Sequence, residues 1–194
     1  MFGEGNGLEM GVDEYFGRIF QDHTFAYMDG MFAPGSTGDE RWERGFWEGL
    51  DQIDEITARL GESESVKVVG HSHGAAHAAG LAWSLLSQGI NVEFAFYIAP
   101  HQPNQFATHP YVRSFQFSRS GDKVSSQGLI AMLTGSEEDR IDFVDVFIEA
   151  LATDSGRGGH YVETYFGASG INKFIEDHGD LWDLLIQMHV VNPN

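Results

Sequence analysis

The sequence predicts an α/β fold with a mostly parallel sheet flanked by helices, and three observations support this prediction. Short β-branched or aromatic runs alternate along the chain with longer segments of helical periodicity. Many of the 24 glycines among 194 residues bracket the apolar runs, where tight turns between strands and helices need them. Hydrophobic residues make up 42% of the chain, which is enough to build a core.

The predicted elements follow one another from residue 24 onward. Strands are predicted where β-branched, aromatic or other apolar residues lie between turn signals, at residues 24–28, 66–69, 92–98 and 112–117. Helices are predicted where apolar positions recur at three- and four-residue spacing, at residues 40–60, 75–86, 141–151, 171–178 and 181–189. Because parallel sheets carry their chemistry at the carboxyl ends of the strands, the residues just after each strand are the candidates for a site.

The predicted helix at residues 141–151 is strongly apolar. Packing into the core is its expected role, and a movable lid over an apolar substrate pocket is the alternative.

A single domain is expected over residues 23–194, since a chain of this length forms one domain. Residues 1–22 are interpreted as a glycine-rich lead-in. Residues 1–7 have neither the positive charge nor the apolar run of a signal peptide. The expectation is therefore that the protein stays where it is made, in the cytoplasm, or is exported by another route.

Charge and composition exclude several classes of function. With 11 Lys and Arg against 29 Asp and Glu, the net charge of −18 argues against binding to nucleic acid or anionic membranes and suits a basic partner. No apolar stretch is long enough for a membrane span. The absence of cysteine excludes disulfides, cysteine-ligated zinc and iron–sulfur clusters. No calcium-loop pattern is present, and no cofactor is predicted.

Residues 70–74 read Gly-His-Ser-His-Gly, an instance of the Gly-x-Ser-x-Gly pattern. A strand is predicted before the pattern and a helix after it, which is the context of a nucleophile elbow. In such a turn small residues flank the serine, here Ser72, which sits at the amino end of the helix. The helix dipole and the free N–H groups there favour a developing negative charge.

A nucleophilic serine needs a general base and a carboxylate that orients it. Asp122 follows the strand predicted at residues 112–117 and is the candidate acid. His160, on a predicted loop further along the chain, is the candidate base, and His178 is its rival. This order, serine then acid then histidine, is that of α/β-hydrolases.

The backbone N–H of His73 is one predicted oxyanion donor, and the N–H of Gly30 or Met31 is the other. His73 and His77 are also spaced as a zinc-binding pair on a helix, but no glutamate follows His73 as in zinc proteases. His101 and His109 flank the loop after the strand at residues 92–98. They are expected either to line the site or to be solvated loop residues.

Three stretches carry a resemblance to lipase-like α/β-hydrolases of the class 3 type. These are the elbow with its flanks at residues 68–76, the Tyr-Ile-Ala-Pro run at residues 97–100 and the Gly-Asp-Lys-Val run at residues 121–124. The resemblance covers about two thirds of the chain and implies a minimal α/β-hydrolase fold. This chain is shorter than the larger members of that group, and it lacks the insertions that build part of their substrate pocket.

A narrower resemblance is to the carboxyl-terminal lipase-like domains of RHS-repeat and other polymorphic toxins of bacteria, notably Bacteroidetes. It rests on residues 70–80, on the run at residues 97–103 and on Thr-His-Pro at residues 108–110. It implies an antibacterial effector that is delivered by a toxin-export system and has a cognate immunity protein. Met-Phe-Gly at residues 1–3 would then be a junction rather than a native start.

The predicted function is therefore that of a serine hydrolase of carboxylic esters, those of lipid or phospholipid, with Ser72, His160 and Asp122 as its triad. A non-catalytic interaction domain on a hydrolase fold is the first alternative. A hydrolase of peptide or other acyl bonds is the second, because the triad does not choose among acyl substrates.

Overall fold

The computed structural model describes residues 35–119, residues 140–150 and the helical residue Asp183. The chain divides into two compact units, one of residues 30–160 and one of residues 1–29 with 161–194. The described helices of the first unit are α1 (Gly38–Asp51), α2 (Ile53–Arg59), α3 (His73–Ser87) and a 3-10 helix (Pro103–Gln105). Its described strands are β1 (Val66–His71), β2 (Val92–Ile98), β3 (Arg113–Arg119) and β4 (Val146–Ala150).

The four described strands form one parallel sheet in the order β1-β2-β3-β4. The register pairs His71 with Ile98 and Ile98 with Phe117, so the carboxyl ends of the first three strands reach the same edge. Helices α1 and α2 precede β1 in the chain, and α3 connects β1 to β2. The α/β fold with a parallel sheet and flanking helices is thus confirmed.

The described part of the sheet is largely buried, as parallel sheets require, and its buried side chains are apolar apart from Ser114 and Gln116 of β3. On one face, alanines of α3 pack against β1 and β2 around Ala95 and Tyr97. On the other face, Phe96 stacks on Phe115 and Phe117, with ring centroids 4.7 and 5.4 Å apart. The predicted strand at residues 92–98 is confirmed with its bounds unchanged.

Helices α1 and α3 approach each other so closely that only glycine fits at three crossing points. A Cβ at Gly45 would overlap the backbone carbonyl of His77, and a Cβ at Gly80 would overlap that of Trp42. At Gly49 the overlap would be with Ser84 of α3. The buried residues of α1 are accordingly three glycines and one arginine, Gly38, Gly45, Gly49 and Arg41.

The single helix predicted at residues 40–60 is wrong, because the structure has two helices there. Helix α1 ends at Asp51, and Gln52 leaves helical geometry at φ −100° and ψ 7° before α2 begins. The apolar positions that predicted one continuous stripe are only half-buried. The buried stripe of α1 consists of small residues, which hydrophobic periodicity does not detect.

The helix predicted at residues 141–151 is also wrong, since β4 occupies Val146–Ala150. Residues 146–148 read Val-Phe-Ile, a continuous apolar run without the strict alternation that predicts a strand. Such a run is easily taken for a buried helix. Before the strand, Ile141 and Val144 are buried, whereas Phe143 is 68% exposed at φ 65°.

Several predicted features lie outside the described residues and stay predictions. They are the domain boundary at residue 22, the strand at residues 24–28 and the helices at residues 171–178 and 181–189, of which only Asp183 is described and is helical. Within residues 35–119 and 140–150, no helix is long and apolar enough to cross a membrane.

Candidate functional site

Ser72 lies at the junction of β1 and α3 with a strained backbone. Its φ of 55° and ψ of −121° are those of the first central residue of a type II′ turn, a position that glycine normally takes. Its N–H donates to the carbonyl of Ile98 at 3.0 Å, and its carbonyl accepts from the N–H of Ala75 at 3.2 Å. These bonds hold the sharp strand-to-helix turn that the sequence pattern predicts.

The two glycines of the pattern have different roles. A Cβ at Gly70 would lie 2.6 Å from the Cα of Ala75 and 2.7 Å from the Cβ of Ala78, so the strand meets the helix too closely for any side chain. A Cβ at Gly74 would meet no described atom within 4 Å. Close packing therefore explains Gly70, whereas described packing leaves Gly74 unexplained.

The loop after β2 lies against the elbow. The N–H of His101 donates to the carbonyl of Ser72 at 3.1 Å, which ties this loop directly to the turn. Two residues of the loop, Ala99 at φ 45° and Gln102 at φ 56°, also have left-handed backbone. Ala99 is held by its N–H bond to the carbonyl of Phe117, at 2.8 Å. Strain thus occurs after both β1 and β2, at one edge of the sheet, as it often does at functional sites.

Two histidines meet beside the serine. The ring of His73 contacts that of His101 edge to face, with centroids 4.5 Å apart. His101 is thereby confirmed as a residue of this edge. His73, the predicted oxyanion donor, is the first residue of α3.

His77 points away from this edge, towards α1. Its Nε2 lies 2.7 Å from Oε2 of Glu48, and its side chain is buried. Burial lowers the pKa of His77 despite that bond. Burial raises the pKa of Glu48, but the bonds from Arg44 and His77 outweigh it and lower that pKa overall. His77 thus contacts α1, and no group of three metal-ligating side chains occurs among the described residues.

His109 does not line the elbow in the same way as His101. Its ring packs edge to face on Trp83 at 4.3 Å between centroids, and its Nδ1 accepts from the N–H of Tyr111 at 3.1 Å. Burial lowers the pKa of His109. Its described contacts are those of a packed loop residue.

Arg41 is a residue that the sequence did not single out. It is 1% exposed and lies in the first turn of α1. One terminal nitrogen donates to the carbonyl and hydroxyl of Ser36, and the other donates to the carbonyl of His101 at 3.3 Å and to Oε1 of Gln102 at 2.7 Å. Burial lowers the pKa of Arg41 against the opposing charge of Glu40, yet an arginine stays protonated in proteins. The spacing of Arg41, Gly45 and Gly49 at every fourth residue is a signal that could have found it.

Of the predicted site residues, the structure describes Ser72 and His73. The other members, Asp122, His160, its rival His178, Gly30 and Met31, lie outside the described residues. The last described residue before Asp122 is Arg119, where β3 ends, and the last before His160 is Ala150, where β4 ends.

This geometry is compatible with nucleophilic chemistry at a serine. The strained turn holds Ser72 at the carboxyl edge of a parallel sheet and at the amino end of a helix of 15 residues. A negative charge that forms there is stabilised by the helix dipole and by backbone N–H groups.

An uncharacterized protein from Bacillus cereus ATCC 10987, known from a crystal structure at 2.75 Å resolution, is similar to this chain. The TM-score is 0.44 and the sequence identity is 17%. The similarity covers 87% of this chain and 55% of the other, so this chain spans about half the length of that protein. No family model and no curated protein matches the chain.

Proposed function

We propose that the protein is a serine hydrolase that cleaves carboxylic esters of lipid or phospholipid. The observation that carries the proposal is the backbone of Ser72, held at φ 55° between a parallel strand and a buried helix. A serine is rare in this conformation because it costs about 1–3 kcal/mol. The strained elbow of α/β-hydrolases uses that conformation to expose its nucleophile.

In the proposed reaction, Oγ of Ser72 attacks the ester carbonyl while His160 takes the hydroxyl proton. The tetrahedral intermediate collapses, and His160 returns the proton to the leaving alcohol. A water molecule then attacks the acyl group on Ser72 while His160 takes its proton. The acid leaves, and His160 returns the proton to Oγ of Ser72. Asp122 orients the imidazole, and the N–H of His73, with that of Gly30 or Met31, binds the oxyanion.

The order of the strands supports this assignment. Ser72 follows β1, Asp122 follows the end of β3 by three residues, and His160 follows the end of β4 by ten. All four strands are parallel, so the three connections leave the sheet at one edge, where ligands bind in open α/β sheets. The chain order of nucleophile, acid and base is that of α/β-hydrolases.

Lipid as the substrate class and antibacterial action come from the sequence resemblance described above. We propose on that ground that the chain is an effector domain, delivered by a toxin-export system and neutralised by an immunity protein. The net charge of −18 suits an immunity protein with a basic contact surface.

A fluorophosphonate probe, read by intact mass, tests the proposed nucleophile. The wild type is expected to gain one adduct and to hydrolyse p-nitrophenyl esters, and Ser72→Ala is expected to lose both, with turnover falling by several orders of magnitude. Ser65→Ala is the matched control, because Ser65 precedes β1 at its other end and its hydroxyl bonds Glu93 at 2.9 Å. The control is expected to label like the wild type.

Labelling that persists in Ser72→Ala would refute the assignment of the nucleophile. A folded wild type that gains no adduct and hydrolyses no ester or phospholipid would favour the alternative, an interaction domain on a hydrolase fold. Cleavage of peptide or other acyl substrates in place of esters would retain the triad and change the substrate class.

A further inference from the structure

Arg41 connects three parts of the molecule through one buried guanidinium. It belongs to α1, and its donors reach the segment before α1 at Ser36 and the loop after β2 at His101 and Gln102. A buried charge costs free energy unless its polar atoms are bonded. Moving these acceptors away would leave the buried guanidinium without its hydrogen bonds. The bonds to Arg41 therefore keep Ser36, His101 and Gln102 in place.

The loop that Arg41 holds is the loop that holds the nucleophile. His101 accepts from Arg41 through its carbonyl and donates through its own N–H to the carbonyl of Ser72 at 3.1 Å. Gln102, the nearer acceptor at 2.7 Å, has left-handed backbone at φ 56°. A non-glycine residue keeps such a conformation only where its surroundings enforce it.

The same loop also contacts the residue that follows the serine. The imidazole of His101 lies edge to face on that of His73, which follows the serine. A displacement of residue 101 would move both the bond to Ser72 and this ring pair.

On these contacts, and resting on the proposed function of Ser72, we infer that Arg41 is a positioning residue for the nucleophile. It acts through His101 and does not touch the substrate. Its loss is expected to slow the chemical step and to leave substrate binding unchanged. The reason is that Ser72 shifts out of position, whereas Arg41 itself makes no contact with the substrate. Misplacement of a reacting group by about 1 Å can cost about 100-fold in rate.

The test compares Arg41→Lys with Trp42→Phe. Lysine keeps the charge but cannot donate from two nitrogens to opposite sides, so it cannot bridge Ser36 and the His101 loop. Trp42→Phe removes another bond from α1, in which Nε1 donates to the carbonyl of Ala107 at 3.1 Å, and leaves the elbow connection intact. Both variants are compared with the wild type well below their melting temperatures.

Arg41→Lys is expected to lower kcat about 10–100-fold with KM changed less than about threefold, and to slow fluorophosphonate labelling in parallel. Trp42→Phe is expected to lower the melting temperature while kcat stays within about twofold. Amide hydrogen exchange of a peptide covering residues 99–105 is expected to speed up in Arg41→Lys alone, since this peptide contains the His101 N–H that bonds Ser72. Equal kcat values and equal exchange in the two variants would overturn the inference.

If Arg41→Lys does not fold, Gln102→Asn replaces it. Asparagine tolerates left-handed backbone but is too short to keep the 2.7 Å bond. A fall in kcat together with faster exchange supports the inference. If both kcat and exchange stay as in the wild type, the inference is overturned. If the wild type neither labels nor hydrolyses esters, the proposed function fails. Hydrogen exchange then decides by itself whether Arg41 holds the loop.

Discussion

Ser72, Ala99 and Gln102 show how single residues shape the site. Each has positive φ without being glycine, at a cost of about 1–3 kcal/mol apiece. Backbone hydrogen bonds from Ser72 to Ile98 and from Ala99 to Phe117 hold two of them at the carboxyl edge of the sheet. The strain is concentrated where the nucleophile is proposed, and the rest of the described sheet is regular apart from one register shift at the start of β1.

The buried pair of His77 and Glu48 predicts acid sensitivity at the residue scale. The pKa of His77 is lowered from its ordinary value of 6.5 by burial. As the pH falls below 6.5, the unfolded chain therefore binds a proton that the native chain resists. The stability that neutral His77 contributes is complete above pH 6.5 and is lost as the pH falls through its lowered pKa. Glu48, with its pKa lowered from 4.5, adds a second loss at lower pH.

His77→Gln is expected to flatten this dependence. Glutamine can still donate to Glu48 but does not titrate. The free energy of unfolding, measured by urea titration at pH 7.5, 6.5 and 5.5, should fall less steeply in the variant than in the wild type. Every other ionisable group is common to the two proteins, so the difference between the two slopes reports on position 77. Identical slopes would contradict the lowered pKa.

At the scale of the element, the crossing of α1 and α3 depends on glycines. Gly45 and Gly80 bring each helix against a backbone carbonyl of the other, and a carbonyl cannot rotate away as a flexible side chain can. The two helices fit together because the glycines let their backbones come into contact. The half-buried apolar residues of α1 add to the contact at its margins.

Gly45→Ala is therefore expected to lower the free energy of unfolding by about 2–3 kcal/mol. Overpacking costs this much even after the better helix propensity of alanine is allowed for. Gly61→Ala is the matched control, because its Cβ would lie 3.3 Å from the movable carboxylate of Glu64. That control should change the free energy of unfolding by no more than about 0.5 kcal/mol. Equal effects in urea titrations would mean that the helices can separate at little cost.

At the scale of the whole molecule, the proposed triad is drawn from the ends of three strands. A parallel sheet in the order β1-β2-β3-β4 sets the ends of β1 and β3 two strand spacings apart, about 10 Å. In the proposed triad, a histidine between the serine and the acid bridges this separation. Residues far apart in sequence are thereby able to act together.

His160→Ala and His178→Ala distinguish the two candidate bases at this scale. His160→Ala is expected to lower kcat by several orders of magnitude, because a triad without its base loses most of its rate. His178→Ala is expected to keep kcat within about twofold. Initial rates on a p-nitrophenyl ester, with circular dichroism to confirm folding, provide the measurement. The reverse result would exchange the two assignments.

Local sequence determined much of this protein. The α/β class, strands β1 to β3, helix α3 and the elbow at Ser72 follow from residue pattern and turn chemistry, which act over a few neighbouring residues. The strand β4 and the glycine contact of α1 with α3 follow from packing between distant segments. So does the link from Arg41 to Ser72, whose partner His101 lies 60 residues away along the chain. Burial and shape complementarity decide such features, and hydrophobic periodicity within one segment does not record them.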